Sequence, residues 1–436
     1  MAISIIEILR QGPAGSRELR DRTGLSQATI SRQLSALGDQ VVRIGRGRNT
    51  RYALTTNAFG VGNSLPLYAT DPHGNSVCIA VVRPLTHGGY FVEQRTGMPS
   101  VLLGDQEDGV FDDLPFFLDD LRPQGFLGRQ IAQALSEASG FPSDPRSWTA
   151  DHVGSYLVAN GDDLSGNLRL GQQSLMRLPR ELRVTSRDEY PALVESVLDG
   201  KIPGSSAGGE QPKFTAFSED RLHVIVKFSP PGDNPTSRRW RDILLTEYHA
   251  QNVLRESTTP AVNCELYEIG DRLFLESHRF DRHGDIGRMP MISLMAVNAE
   301  FVGSGTNWPS VIGALVGRGL IRHEHHFDAE LLHSFGRCIS NTDMHLGNLS
   351  LGYEGGVFTL LPVYDMCSMG FAPRSGEVIP YDFEIDASAA EDGSPTKYGA
   401  VLASQFWGQL AKDDRISDEL REFLARGNPV KLDLNP

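Results

Sequence analysis

Asp343 and Asn348 stand five residues apart in Asn341-Thr342-Asp343-Met344-His345-Leu346-Gly347-Asn348, and Asp365 lies seventeen residues further on. A carboxylate, an amide and a second carboxylate in that order suit phosphoryl transfer. Asp343 would serve as base for an acceptor hydroxyl, with Asn348 and Asp365 as oxygen ligands for Mg2+. The separation of five lets one loop present two side chains to the same phosphate. Upstream, Gly204-Ser205-Ser206-Ala207-Gly208-Gly209-Glu210-Gln211-Pro212-Lys213 is a run of small residues. Its backbone N–H groups could approach and cradle phosphate oxygens. It is neither a Walker A loop nor a dinucleotide fingerprint. Its weight comes from the apolar run just downstream, His223-Val224-Ile225-Val226-Lys227-Phe228, which presents a strand-borne lysine for the phosphates. Glu247, on a helix expected from Ile243 to Arg255, is a candidate partner for Lys227; a solvated helix face is the equal alternative.

The elements that must hold these residues are legible from periodicity. An amphipathic stretch from Ala329 to Cys338 precedes the Asp343 loop, and the apolar run from Thr359 delivers Asp365 at its end. Lys213 to Phe217 and His223 to Phe228 read as neighbouring strands. Leu273-Phe274-Leu275-Glu276-Ser277-His278-Arg279-Phe280 reads as a strand entering a polar linker, where an adenine ring could meet backbone between two lobes. Glu276, His278 and Phe280 are the candidates there, against the alternative of an ordinary buried strand edge. Between residues 67 and 200 the pattern is α+β, with strands at Ser76 to Val82 and Gly89 to Glu93 and helices at Leu127 to Glu137 and Val153 to Ala159. That region shows no chemistry of its own. Helices between Gly399 and Arg426 read as packing.

The first 56 residues differ in charge from the rest. They hold nine arginines and no lysine against four acids, a net of +5 within a chain of −14, which leaves −19 on the remainder. Only this head is suited to meet a polyanion. Apolar Ile3, Ile5, Ile6 and Leu9 start a helix that stops at Gly12-Pro13. Ser16 is placed to cap a second helix from Arg17 to Thr23, with Gly24 as the turn, and Ser26 a third from Gln27 to Leu37. A hairpin wing comes next, Val41 to Ile44 and Arg51 to Leu54 around Gly45-Arg46-Gly47-Arg48-Asn49. The arrangement resembles bacterial winged helix-turn-helix domains. Gln27, Thr29, Ser31, Arg32 and Gln33 on the third helix could read base edges, and Arg46, Arg48 and Arg51 suit phosphates or a minor groove. A small protein-docking module with a solvated basic face is the bland alternative. Four scattered cysteines give no metal or disulfide spacing, and no apolar run approaches the roughly 20 residues of a membrane span. The start carries an early acid and no basic region, so the chain is expected to be cytoplasmic, without a signal peptide and without a membrane partner.

Taken together, Ser205 to Lys213, Ile225-Val226-Lys227, Arg279-Phe280-Asp281-Arg282, Asn341 to Asn348 and Pro362-Val363-Tyr364-Asp365 resemble the HipA-like serine/threonine kinases, toxins of bacterial toxin–antitoxin modules. Residues 114–125 and 161–170 look like that family's N-terminal subdomain, and the fused head looks most like the YjjJ-type branch. The resemblance implies an ATP phosphate loop at Ser206, Ala207, Gly208, Gly209, Glu210, Gln211 and Lys213, with Lys227 on the phosphates. It implies Asp343 as the base and Asn348 and Asp365 as Mg2+ ligands. It also implies autophosphorylation at Ser206, with Ser205 beside it. A phosphoserine there would set about two negative charges against the ATP phosphates. The chain departs from the family in three places. Glu210 puts an acid in the loop, either weakening ATP binding or pairing with Lys213 or Lys227. Two extra residues precede Arg279. His345 comes after the aspartate instead of preceding it and is expected to support the loop, with contact to ATP as its other expected role.

The expected fold is α+β, a two-lobed protein-kinase-like body of HipA type behind a winged helix-turn-helix. The expected division is 1–56 head, 57–66 linker, 67–200 α+β subdomain, 201–282 nucleotide-binding lobe and 283–436 mainly helical catalytic lobe. The leading function is a Mg-ATP-dependent protein kinase acting on a cellular protein and on itself, with DNA bound by the head. An antitoxin protein and a homodimer are further expected partners, since helix-turn-helix proteins pair on half-sites. A small-molecule kinase and a regulator that only senses nucleotide are the alternatives. A sugar kinase linked to a repressor is disfavoured because its D-x-G-x-T loop and cysteine-rich zinc motif are absent from the sequence.

Overall fold

The computed structural model describes residues 3–105, 108–177, 182–198, 211–257, 259–374 and 376–433. The chain starts with α1 (Ile5–Leu9), where Ser4 and Glu7 cap each other reciprocally. Next come β1 (Ala14–Gly15), α2 (Ser16–Thr23), α3 (Gln27–Ala36), β2 (Val41–Ile44) and β3 (Arg51–Leu54), the strands in order β1-β3-β2. Ser26 caps α3 by accepting from Thr29 N at 3.2 Å. Ser16, expected as a cap, is instead the first residue of α2, and Gly15 takes the cap position without a side-chain bond. Ile5, Ile8, Leu9, Leu19, Ile30 and Leu34 close the core of this head.

The next unit is an antiparallel sheet in order β7-β6-β5-β4-β8, built from β4 (Leu65–Thr70), β5 (Ser76–Pro84), β6 (Tyr90–Gln94), β7 (Val110–Phe111) and β8 (Leu168–Leu170). Its helices are α4 (Phe116–Asp119), α5 (Gly125–Ser139), α6 (Ala150–Asn160) and α7 (Gln172–Met176). The inner face of the head's hairpin, Val42, Ile44 and Ala53, packs on Leu85 and Phe91 of this sheet. The stretch expected as a linker is pinned rather than loose. Phe59 stacks on Tyr90 at 6.1 Å. It also presses on α6 so closely that a Cβ at Gly154 would lie 2.1 Å from its ring. That approach requires glycine.

Another antiparallel sheet lies beyond α8 (Tyr190–Leu198) and comprises β9 (Lys213–Phe217), β10 (His223–Phe228), β11 (Cys264–Ile269) and β12 (Arg272–His278), in order β11-β12-β10-β9. Between β10 and β11 runs α9 (Pro235–Glu256), capped by Asn234 and eight residues longer at its start than periodicity suggested. Alternation along β10 sends Val224, Val226 and Phe228 into a cluster with Tyr190 and Val194 of α8, leaving Lys227 for α9 on the opposite face.

The last part contains the hairpin β13 (Arg282–His283) with β14 (Gly287–Arg288), then β15 (Ile292–Ser293), α10 (Leu294–Phe301), α11 (Trp308–Gly317), α12 (Glu324–Cys338), β16 (Ser350–Glu354) and β17 (Val357–Leu360). It ends with β18 (Ile385–Asp386), α13 (Pro395–Leu410), α14 (Asp418–Ala425) and β19 (Val430–Lys431). α12 and α13 meet where Gly399 lets backbones touch, for a Cβ there would stand 2.4 Å from Leu331 O. One apolar core runs from the middle sheet through α9 into these helices. Buried polar ties reinforce it. Ser293 donates its N–H to Asp120 at 2.8 Å, Tyr353 donates to Asn167 at 2.9 Å, and Asp281 accepts from Gly166 N at 2.9 Å.

Candidate active site

The loop carrying Asp343 is fixed by its own backbone and by neighbours. α12 ends at Cys338, and Ser340 then adopts φ of 60°, a left-handed conformation a β-carbon disfavours. Gly370 N donates to Ser340 O at 2.8 Å and holds that turn. Asn341 Oδ1 accepts from Asp343 N at 2.9 Å, and Asn348 Nδ2 donates to Asp343 O at 2.7 Å. The second bond turns Asn348 Oδ1 away from that carbonyl. His345 Nδ1 accepts from Gly347 N at 3.0 Å, and its Nε2 lies 3.8 Å from Asp343 Oδ1. Trp308 donates to His345 O at 3.0 Å and Tyr364 to Gly347 O at 3.0 Å, closing the loop from two sides.

Lys227 is the hub of the charge network. Its ammonium lies 2.5 Å from Glu247 Oε2 and 2.6 Å from Asp365 Oδ1, with only 4 % of its side chain exposed. Lys213 Nζ approaches the other oxygen of Asp365 at 3.7 Å. Burial alone would raise the Asp365 pKa, but Lys213 and Lys227 together hold it well below the usual carboxylate range. Burial likewise works against the Lys227 cation, and Asp365 and Glu247 more than reverse it, so the lysine stays charged. Glu247 is pushed upward by burial, only partly opposed by Lys227. Asp365 itself sits at φ of 51°. Non-glycine residues held this way concentrate at functional sites.

A cavity of about 1140 Å³ opens between this network and the middle unit. Lys213, Lys227, Asp343, Asn348 and Asp365 line one wall. Arg122, Gln124 and Arg129 line the cavity from the middle unit's side. Gln211 also lines it, 6 % exposed, and its Nε2 has no hydrogen-bond acceptor among the described residues. A buried orphan donor beside two lysines fits an anionic oxygen such as that of a nucleotide phosphate. Asp365 and Asn348 offer the hard oxygen donors that Mg2+ prefers.

Other expected residues are placed elsewhere. Ser205, Ser206, Ala207, Gly208, Gly209 and Glu210 lie outside the described residues. Glu276 faces the α8 side of the sheet, where Tyr190 donates to it at 2.7 Å and Arg187 at 2.8 Å, away from the cavity. His278 accepts from the Asn263 amide at 3.3 Å, and burial lowers its pKa. Phe280 packs at 5.8 Å on Tyr364, the residue that bonds Gly347 O. In the head, Gln27, Ser31, Arg32 and Gln33 are exposed on α3, while Thr29 is partly covered and bonds the capping Ser26 at 2.9 Å. Arg46 and Arg48 are exposed on the wing. Arg51 is engaged by Asp108 of the middle unit at 2.6 Å. Sequence reading missed the middle unit's share of the cavity. No local pattern marks Arg122 or Gln124, which reach the site only through the fold.

Comparisons with known proteins agree with this architecture. Residues 205–422 match the family model of the HipA-like C-terminal domain, residues 61–179 the YjjJ-like toxin middle domain, and residues 2–40 the arsR family of bacterial regulatory proteins. The chain is 36 % identical to Toxin YjjJ of Escherichia coli strain K12, over 98 % of this chain and 97 % of that protein. Among solved structures, it superposes on one from the Shewanella oneidensis MR-1 toxin–antitoxin system of HipA, HipB and operator DNA. That match has a TM-score of 0.57 and 17 % identity, and covers 83 % of this chain and 94 % of that one. Fold and site thus define a HipA-like, kinase-like body behind a helix-turn-helix head. Within that class the chain belongs to the YjjJ-like toxins.

Proposed function

We propose that this protein is a Mg-ATP-dependent serine/threonine protein kinase acting as a toxin. It phosphorylates a cellular protein and, on Ser206 or Ser205, itself. The observation that carries this reading is the shared Lys227: one buried ammonium joins Glu247 and Asp365 on the wall of the cavity that also holds Asp343 and Asn348. Lys213, Lys227 and Gln211 bind and orient the phosphates. Asp343 takes the proton from the acceptor hydroxyl, positioned by its bond to Asn341 and by Asn348. Asn348 and Asp365 would hold Mg2+, which would offset the negative charge of the phosphates. The middle-unit wall leaves room for an acceptor segment beside the nucleotide. The head binds DNA through α3 and the wing arginines Arg46 and Arg48, which gives the toxin a means of autoregulation. A cytoplasmic location is consistent with the lack, among the described residues, of any helix long and apolar enough to cross a membrane. The Shewanella relative was solved with HipB and operator DNA, and by analogy an antitoxin protein and a paired arrangement on DNA are proposed here.

Incubation of the purified protein with γ-labelled ATP, Mg2+ and a cell lysate tests this. Label should appear on a lysate protein and on the Ser205–Ser206 peptide, and should vanish in Asp343→Asn. Absence of Asp343-dependent transfer would overturn the kinase reading and favour a nucleotide-sensing regulator. Label only on small molecules would favour the small-molecule kinase.

A further inference from the structure

The helix that carries Glu247 also holds the turn that carries Asp365. Next to Glu247, Thr246 Oγ1 accepts the N–H of Ser368 at 3.1 Å while donating to Ile243 O at 2.7 Å. Thr246 is 2 % exposed and Ser368 0 %. Around this bond, Trp240 and Ile243 of α9 pack on Cys367 and Ala372. Arg239 donates to Phe371 O at 2.9 Å and to Ile379 O at 2.7 Å. The left-handed backbone of Asp365 persists only where neighbours over-determine it. These contacts supply that constraint three residues downstream.

We infer that Thr246 is a positioning residue for the reaction. Its hydroxyl splices the turn after Asp365 onto α9, so that both carboxylates flanking Lys227 are set by one helix. Thr246 does not line the cavity and touches none of the reacting groups; it acts through Ser368. In kinases whose regulation works by swinging this helix, the glutamate and the metal-binding aspartate move separately. Here the Thr246–Ser368 bond ties them, and Lys227 contacts both carboxylates. The inference rests on the phosphotransfer reading above.

Thr246→Val keeps the shape of the side chain and leaves the buried Ser368 N–H without an acceptor. Thr246→Ser keeps the hydroxyl. With labelled ATP and the full-length protein, Thr246→Val should lower the kcat of transfer about tenfold or more, because the lost bond loosens Asp365. KM for ATP should change by less than about threefold, since Lys213 and Gln211 are untouched. Thr246→Ser should recover most of the rate, and circular dichroism with a cooperative melt should confirm that all three proteins are folded. Transfer by Thr246→Val at the wild-type rate would overturn the inference alone. So would Thr246→Ser as slow as Thr246→Val, which would assign the effect to shape. A wild-type protein that transfers no phosphate would instead refute the kinase reading, and this inference with it.

Discussion

Lys227→Met removes one cation from the charge network and little else, since Met keeps the length and the apolar stem. In the wild type the ammonium sits 2.5 Å from Glu247 and 2.6 Å from Asp365. Without it Glu247, 1 % exposed, keeps a buried charge with no cation in contact. Stranding one member of a buried pair costs about 3–5 kcal/mol. Glu247 avoids that cost only by binding a proton. Burial already raises its pKa, and loss of Lys227 raises it further. A carboxyl whose folded pKa lies above its unfolded value of about 4.3 contributes stability that is fully present below that value. The contribution is lost as pH rises through the folded pKa. The deficit of Lys227→Met should therefore be smallest near pH 5 and grow by about 3 kcal/mol towards pH 8. At about 2.1 cal/mol/K per residue, 1 kcal/mol moves the Tm of a body of this size by roughly 1 °C, so the gap should widen by about 3–4 °C. Asp365 does not disturb the wild-type side of the comparison, because Lys213 and Lys227 keep its titration below this window. Melting of both proteins by scanning calorimetry at pH 5, 6, 7 and 8 reads the effect. A gap that stays constant or narrows with rising pH would refute the reasoning.

Three further outcomes rest on particular contacts. Asp343→Asn should cut phosphate transfer by about 10²–10⁴-fold while ATP binding, measured by calorimetry, is retained, because only the base is removed. Arg46→Ala and Arg48→Ala should each weaken DNA binding at all sequences and reduce the slope of log K against log salt by about 0.9, if these arginines meet phosphates. Gly399→Ala places a Cβ 2.4 Å from Leu331 O and 2.8 Å from Phe335 N. Parting α12 from α13 should cost about 1–3 kcal/mol, seen as a lower melting temperature.

What could be read from the sequence was local. The bounds of β9 and β10 and the strands of the wing come from alternation, and that alternation places Lys227 on the face opposite Val226. The Asp343 loop was legible because one short segment holds both Asp343 and Asn348. Glu276 shows where this stops. A strand's period says that neighbours alternate, but not what each face meets, and the register Val226↔Glu276 puts its carboxylate with Arg187 and Tyr190. Arg51 is tied by Asp108, 57 residues away, and no spacing rule reaches that far. The cavity's second wall was invisible for the same reason. Arg122 donates to Trp148 O at 2.6 Å and to Pro145 O at 3.1 Å, contacts set by packing of the whole unit.

The hairpin of the head has no finished surface on its inner side. Val42, Ile44 and Ala53 share their core with Leu85 and Phe91, and Arg83 reaches back to Asp39 at 3.2 Å. Severing the chain after Leu54 would bare an oily flank on the head and its mate on the body, so a head made alone should be prone to stick to itself. Any tilt that a DNA groove imposes on the hairpin would be felt first by the middle sheet. That sheet is continuous in its core with the lobe that carries Asp343.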